Sequence, residues 1–343
     1  MMRTGSKLPL VSIVVSNYNG RKFHLLEPCL RSVLRINYPN FEIILVDNAS
    51  NDGSVEFSRR LFGQDPHLKI LANSENVYSQ GLNKGIAKCK GEYVVFFNND
   101  IRVDPEYLRE LIKILEADKS IGLAQGKLLL ESNPEKIDCV GETMDIYGNP
   151  VALGRGERDR GGYDRIDEIL SASGSASIAR RSVLDEVGGF DPKFFIGYED
   201  MDLSLRIRLR GYKVVYIPKA IVYHKRTATD SVSEIRANVK YHFNKNRIAT
   251  LIKNYSGRNL LIALPISLWL YFSAFTYELI VRRDIKWAIP RLTALLWNMK
   301  EIRYILSQRR AVQKDLRRVS DSEILRLMSR RKLVKTILDF VRK

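Results

Sequence analysis

Three polar clusters stand at element ends, where side chains of a folded sheet protein can meet a ligand. The run FEIILV (41–46) leads into DNASNDGS (47–54), and YVVFF (93–97) leads into Asn98, Asn99 and Asp100. Further on, Gly197, Tyr198, Glu199 and Asp200 open a helical stretch. Each residue type has an ordinary structural use. Asx and Ser after a strand cap helices and shape turns, and carboxylates opening a helix are favoured by its dipole. The same groups can also do chemistry: a carboxylate ending a strand can ligate a hard cation, and one in a cleft can take a proton from a bound hydroxyl. Three such clusters, in this order and all at element ends, outweigh the separate structural explanations.

These side chains need a scaffold. VSIVV (11–15), FEIILV, LKIL (68–71) and YVVFF read as buried strands, apolar on both faces as in a parallel sheet. Between them Phe23, Leu26, Leu30, Val33 and Leu34 recur at helical spacing, and 55–62 and 81–89 read as further helices. Asp104 and Pro105 suit the N-cap and first position of a helix carrying Tyr107, Leu108, Leu111, Ile112 and Leu115. Strand–helix alternation implies an α/β fold with a mostly parallel central sheet flanked by helices. Ligands of such sheets sit beyond the carboxyl ends of the strands. Residues 131–170, rich in Gly, Asp and Arg, read as a mobile surface loop or lid. Helices near 181–187 and 200–210 and a strand at 213–218 follow.

Composition narrows the class. The 343 residues are 45% hydrophobic and 28% charged, which excludes global disorder, a collagen and a polytopic membrane protein. Net charge is +17, and residues 251–343 hold 20 basic against 7 acidic side chains, so the surplus sits in the last quarter. Cys29, Cys89 and Cys139 are odd in number and widely spaced, which points away from a disulfide framework or zinc site and towards a reducing compartment. Residues 1–10 lack an apolar core, so no secretory signal is expected. Residues 260–277 are 18 positions without a charge, with basic residues on both flanks. A span needs about 20, so interfacial or re-entrant membrane attachment is favoured, with a single span or a buried helix as the alternatives. A nucleic-acid-binding role for the basic region is disfavoured by the absence of aromatic stacking motifs.

The arrangement resembles glycosyltransferase family 2, enzymes of GT-A fold that transfer a sugar from a nucleoside diphosphate, over roughly residues 9–229. The matching segments are VSIVVSNYNG (11–20), ILVDNASNDGS (44–54), GLNKGI (81–86), GEYVVFFNND (91–100), EVGGFDPKFFIGYEDMDLSLRIRLRGY (186–212) and VYH (222–224). Their pattern is similar to the rhamnosyltransferase-like members that build bacterial and archaeal surface glycans. The resemblance implies a GT-A catalytic domain over 1–235, with a donor half at about 9–120 and an acceptor half at about 121–235. A basic, apolar helical region for membrane association would occupy 236–343.

For the site, the resemblance implies that Asp100 and His224 hold Mg²⁺ or Mn²⁺, which neutralises charge on the departing diphosphate. Asp47 and Asn48 would meet the base or ribose of a UDP- or dTDP-type donor, with Ser16, Tyr18, Asn83, Asn99 and Gly174 lining the donor cleft. Asp200 is the expected base, and one base with no nucleophile implies inversion at the anomeric carbon. Asp202 points away from Asp200 and should pair with Arg206 at i+4; Asp191 reads as a turn residue. Two departures stand out. Asn98 occupies the first position of the family's DxD-type motif, leaving one carboxylate, and NVYSQGLNKG (76–85) is one residue shorter than the family's loop, with Tyr78 nearest its aromatic. The implied acceptor is a hydroxyl of a lipid-linked glycan or surface-polysaccharide precursor at the cytoplasmic face of the cell membrane. A polyprenyl-phosphate sugar synthase is the alternative enzyme, and there a phosphate acceptor would need little help from Asp200.

Overall fold

The computed structural model describes residues 8–226 and 233–330. Residues 1–7 of the segment examined for a signal, 227–229 at the end of the family-like region and 331–343 of the basic region lie outside the described residues. In chain order the elements are β1 (Val11–Asn17), α1 (Leu26–Val33), β2 (Phe41–Asp47), α2 (Ser54–Phe62), β3 (Leu68–Ala72), α3 (Tyr78–Lys88), β4 (Tyr93–Asn98), β5 (Ile101–Val103) and α4 (Tyr107–Ala117). Then come β6 (Ile121–Leu130), β7 (Asn133–Cys139), β8 (Glu142–Met144), β9 (Pro150–Ala152), β10 (Asp167–Glu168), β11 (Ala176–Arg180), α5 (Arg181–Val187), α6 (Glu199–Leu209) and β12 (Lys213–His224). The remainder is helical: α7 (Ser233–Asn254), α8 (Gly257–Thr276), a π-helical turn (Tyr277–Val281), α9 (Ile285–Lys300), α10 (Ile302–Arg310), a second π turn (Ala311–Leu316) and α11 (Asp321–Leu325).

The main sheet runs β10–β12–β6–β11–β4–β1–β2–β3, with β5 added beside β12 and β7 beside β6. The four early strands are parallel, as their two-faced apolarity requires. Beyond β4 the sheet is mixed: β11 lies antiparallel to both β4 and β6, and β12 is parallel to β6. Register lines up the polar strand ends. Asn17 stands opposite Asp47, Ser16 opposite Asn98, and His224 opposite Ile101, the residue after Asp100.

Successive side chains of a strand point to opposite faces, and here they enter separate cores. Val11, Ile13 and Val15 of β1 pack with α1 and α4, whereas Val14 packs with α3, α5 and α6. The same split divides Tyr93, Val95 and Phe97 from Val94 and Phe96 on β4. A third core joins Phe194, Tyr198, Met201, Leu205 and Leu209 to Ile248, Leu251, Tyr271 and Ile305, so the C-terminal helices pack against α6. Sandwiched between sheet and α7, helix α6 is buried on nearly every side.

The stretch 131–170, expected to be a loop, contains four short strands. Two of them have three residues and one has two, too short for a periodic signal. Lys127 tacks the stretch down: its buried ammonium lies 2.8 Å from Asp159 and 2.9 Å from Asp164. A buried cation requires such partners.

Candidate active site

One side of the site is a closed lattice of side-chain hydrogen bonds at the ends of β1, β2 and β4. Asp47, buried, accepts from Asn17 Nδ2 (2.6 Å), from the Ser50 hydroxyl (2.6 Å) and from the Ser50 N–H (2.9 Å). Asn17 Oδ1 accepts from Asn99 Nδ2 at 2.7 Å. Asn48 donates to Ser16 Oγ at 3.1 Å and accepts from Asn73 at 3.1 Å. Gly20 is required beneath this lattice, because a Cβ there would lie 2.3 Å from Asn17 Oδ1 and 2.5 Å from Asn99 Nδ2. Tyr18 stands on the rim, 48% exposed, with its ring open to a planar ligand. Five of the expected donor residues, Ser16, Tyr18, Asp47, Asn48 and Asn99, are thus gathered at one edge of the sheet.

Asn83 is not among them. Its Nδ2 donates to Phe190 O (2.8 Å) and its Oδ1 accepts from Phe190 N (2.9 Å), so both ends of the amide are engaged by the turn that follows α5. Asn83, expected in the donor cleft, here anchors the Gly188–Gly189–Phe190 turn.

The other side of the site is a group of acids only partly satisfied. Asp100 follows β4; its Oδ2 faces His224 Nε2 at 3.2 Å, and its Oδ1 is buried with no hydrogen-bond partner among the described residues. His224 ends β12 and meets Asp138 through Nδ1 at 2.7 Å. Burial alone would depress the imidazole, but Asp100 and Asp138 together raise it to about 9. Asp138, at the end of β7, is buried, and its Oδ1 lies 2.5 Å from Arg226 Nε. Sequence reasoning missed this residue; the available signal was an acid inside the apolar run Ile137–Val140.

Asp200 sits in the first turn of α6. Its Oδ2 accepts from the Gly174 N–H (3.2 Å) and its Oδ1 from the Met201 N–H (2.7 Å), so Gly174, expected in the donor cleft, touches this carboxylate through its backbone. Burial pushes the Asp200 carboxyl above the ordinary aspartate value, against the pull of those N–H groups. Burial and neighbouring Asp200 push Glu199 well up, and its Oε2 has no hydrogen-bond partner among the described residues. Burial, then Asp200, also raises Glu142 on β8. The two halves meet at Tyr78: its hydroxyl donates to Asn98 Oδ1 (2.8 Å), and Asp100, Glu199 and Asp200 all act on it electrostatically. Asp202, by contrast, belongs to the core, 2.9 Å from both Arg206 and Lys253. Burial would raise it, but Lys253 and Arg206 hold it at about 2.

A divalent cation fits here. The orphaned Asp100 Oδ1 is one oxygen donor, and the imidazole of His224 becomes one nitrogen donor once a cation displaces the proton that Asp100 and Asp138 hold on it, a set that Mn²⁺ accepts. Among the described residues no group of three or more His, Cys, Asp or Glu side chains converges as a self-sufficient metal site. Such a cation would therefore take its remaining ligands from phosphate and water, the usual arrangement for Mg²⁺ and related ions in phosphate sites.

Known proteins share this framework. RfbC, an O-antigen biosynthesis protein of Myxococcus xanthus, is 30% identical over 228 residues, covering 64% of this chain and 18% of that protein. An uncharacterized protein of Sinorhizobium fredii is 28% identical over 232 residues, 64% of this chain and 25% of its own length. The chain thus spans a quarter or less of these two curated relatives. Among solved structures, the mannosyltransferase PcManGT of Pyrobaculum calidifontis, in complex with GDP-Man and Mn²⁺, superposes with a TM-score of 0.56 at 18% identity, covering 98% of this chain and 87% of that one. GalNAc-T7 with UDP, GalNAc and Mn²⁺ gives 0.62 at 17% identity over 91% of this chain and 59% of that one. These likenesses establish the GT-A fold. The model of glycosyl transferase family 2 matches residues 12–188, a stretch that holds the donor lattice, Asp100, Asp138 and Gly174, and the chain is a member of that family.

Proposed function

We propose that the chain is an inverting, metal-assisted glycosyltransferase that moves a sugar from a UDP- or dTDP-type donor to a hydroxyl of a lipid-linked glycan or polysaccharide precursor. What supports this is one juxtaposition: the incompletely partnered Asp100 and the base candidate Asp200 both within electrostatic reach of the Tyr78 hydroxyl. Mg²⁺ or Mn²⁺ held by Asp100 and His224 would supply a Lewis acid for the diphosphate leaving group.

The chain's own residues do the rest. The Asp47–Asn48–Ser16 lattice presents a rigid edge to the nucleoside, and Asn99 fixes Asn17 beneath it. The Gly174 N–H fixes the Asp200 carboxylate. Asp200 takes the proton of the acceptor hydroxyl as its oxygen bonds to the anomeric carbon. The bond from that carbon to the diphosphate oxygen breaks on the opposite face, so configuration inverts. Residues 1–235 form the catalytic unit in this reading. Residues 236–343 attach it to the cytoplasmic face of a membrane, a role supported by the exposed apolar residues of α8 and α9.

The test is a screen of UDP-, dTDP- and GDP-sugars for transfer and hydrolysis with Mn²⁺ or Mg²⁺, with the product anomer read by NMR. Turnover should vanish with EDTA and in Asp100→Ala. Turnover that survives both removes the metal from the reaction, and a retained anomer removes the single-displacement step.

A further inference from the structure

Two of the C-terminal helices, α8 and α9, carry large apolar side chains on their outer faces. On α9 the buried positions include Arg291 and Asn298, while Ile285, Ile289, Leu292, Leu296 and Met299 are exposed. On α8 the buried face carries Ala263, Ser267, Leu270, Tyr271 and Ala274, and Leu261, Ile262, Trp269 and Phe272 face outward. A helix of a soluble core keeps its large apolar residues on the buried side; these two carry them on the outer face as well as against the third core. An apolar surface this large marks an interaction site, and its rim identifies the partner. Arg258, Arg282, Arg283, Lys286, Lys300 and Arg303 are exposed around it, whereas Glu278 in the same stretch is buried. Exposed cations bordering an apolar face fit anionic lipid headgroups above acyl chains.

Gly257–Val281 is 25 residues with a mean hydropathy of 1.7 in its most apolar window, long enough by composition to cross a bilayer. Its anchorage forbids crossing. At the N-terminal end Asp321 accepts from the Ser256 N–H (2.9 Å) and from Asn259 Nδ2 (2.5 Å). At the other end Glu278 is held by Lys240 of α7 and by Arg291, whose Nε lies 2.9 Å away, and Arg291 also donates to Asn244 of α7 at 3.2 Å. Helix α7 is in turn fastened to the catalytic side by Asn246, which donates to Gly197 O at 2.7 Å, and by Lys253, which pairs with Asp191 and Asp202. Both ends of the apolar segment are therefore bonded to the same polar body. Crossing a hydrocarbon layer about 30 Å thick would tear out one of these clusters and strand its charges in lipid.

Resting on the membrane attachment proposed above, we infer that α8 and α9 lie flat in a single leaflet as an in-plane anchor for anionic lipid, and that Gly257–Val281 does not span. Lipid contacts the Leu261–Ile262–Trp269–Phe272 face and the Ile285–Ile289–Leu292–Leu296 face together, and the arginine rim meets the headgroups.

Sealed vesicles of phosphatidylcholine with and without phosphatidylglycerol test this on the full chain. The protein should sediment with the phosphatidylglycerol vesicles and lose binding about tenfold in Ile289→Glu/Leu292→Glu, whose exposed positions leave the fold intact by circular dichroism. Because Cys29, Cys89 and Cys139 are buried, single Arg258→Cys and Arg282→Cys variants can report each end with a membrane-impermeant maleimide. Equal labelling of both from outside is the expected result. Labelling of one end only after permeabilisation would establish a span and overturn the inference while leaving membrane attachment standing. Failure to sediment with any vesicle removes the attachment itself. A stable dimer that stays in solution beside the vesicles would assign the apolar face to a second copy of the chain, and also overturns it.

Discussion

The two sides of the cleft treat their polar groups in opposite ways. On the donor side Asn17, Asp47, Ser50, Asn48, Ser16 and Asn99 satisfy one another, so the lattice is complete before anything binds. Across from it Asp100 Oδ1 and Glu199 Oε2 are buried without partners among the described residues, and Glu142, Glu199 and Asp200 crowd together. Buried polar atoms are nearly always paired, and a carboxylate without a partner is costly to bury. The contrast separates a preformed shape from an unfinished site. In the proposed function the first selects a ligand, and a cation and a hydroxyl complete the second. Within α6 the same contrast is compressed into two positions: Asp200 is pushed up by burial, and Asp202 is drawn down to about 2 by Lys253 and Arg206.

The strongest test of that contrast exchanges the two aspartates' fates. Asp200→Asn should cut kcat for transfer by about 10²- to 10⁴-fold while the melting temperature stays near wild type. The acid acts ionised, and its folded pKa is raised, so activity should switch on with rising pH above the ordinary aspartate value of about 3.9. That limb should disappear in the Asn variant. A large loss of stability with kcat preserved would move Asp200 from the reaction to the scaffold.

Lys253→Met probes the other aspartate. Removing a buried cation that pairs with Asp191 and Asp202 leaves two acids in the core, and about 3–5 kcal/mol of stability should go, read by denaturant unfolding. Because Asp202 is depressed, its contribution is present above the unfolded aspartate value and fades as pH falls towards 2. Wild type should therefore lose stability in acid more steeply than Lys253→Met.

Asp138→Asn is smaller and bears on the unfinished side alone. His224 loses the carboxylate that orients its ring through Nδ1, and removal of such an outer partner typically weakens metal binding about 10- to 100-fold. A Mn²⁺ titration of activity reads it: the requirement for metal should rise while kcat at saturating Mn²⁺ recovers. An unchanged titration would detach His224 from the cation.

Much of this was legible because period and register are local. The two-faced apolar runs at 11–15, 41–46 and 93–97 became adjacent parallel strands, and the Asp202–Arg206 spacing of four became an ion pair at 2.9 Å. What stayed hidden depends on distant partners. Asp138 lies 86 residues from the histidine it orients, at the end of a strand, NPEKIDC, whose first four residues carry no apolar alternation. Helix α3 begins at Tyr78, three residues before its apolar spacing becomes evident, so the tyrosine between Asp100 and Asp200 looked like loop.

Asn83 shows the same difficulty and supplies the finest test of the boundary between the two regions. It lies in the family-like segment 81–86, yet its amide serves Phe190, 107 residues away, on the turn that follows α5. Replacing it by alanine removes two hydrogen bonds and leaves the Phe190 main chain to find water, so about 1–2 kcal/mol of stability should be lost, with donor KM unchanged. Asn48→Ala, one layer over in the donor lattice, should do the reverse and raise donor KM before it lowers the melting temperature, because its amide bridges Ser16 and Asn73 at the sheet edge. If both variants raise donor KM alike, the nucleotide reaches as far as α3, and the preformed edge is wider than the hydrogen-bond lattice that defines it here.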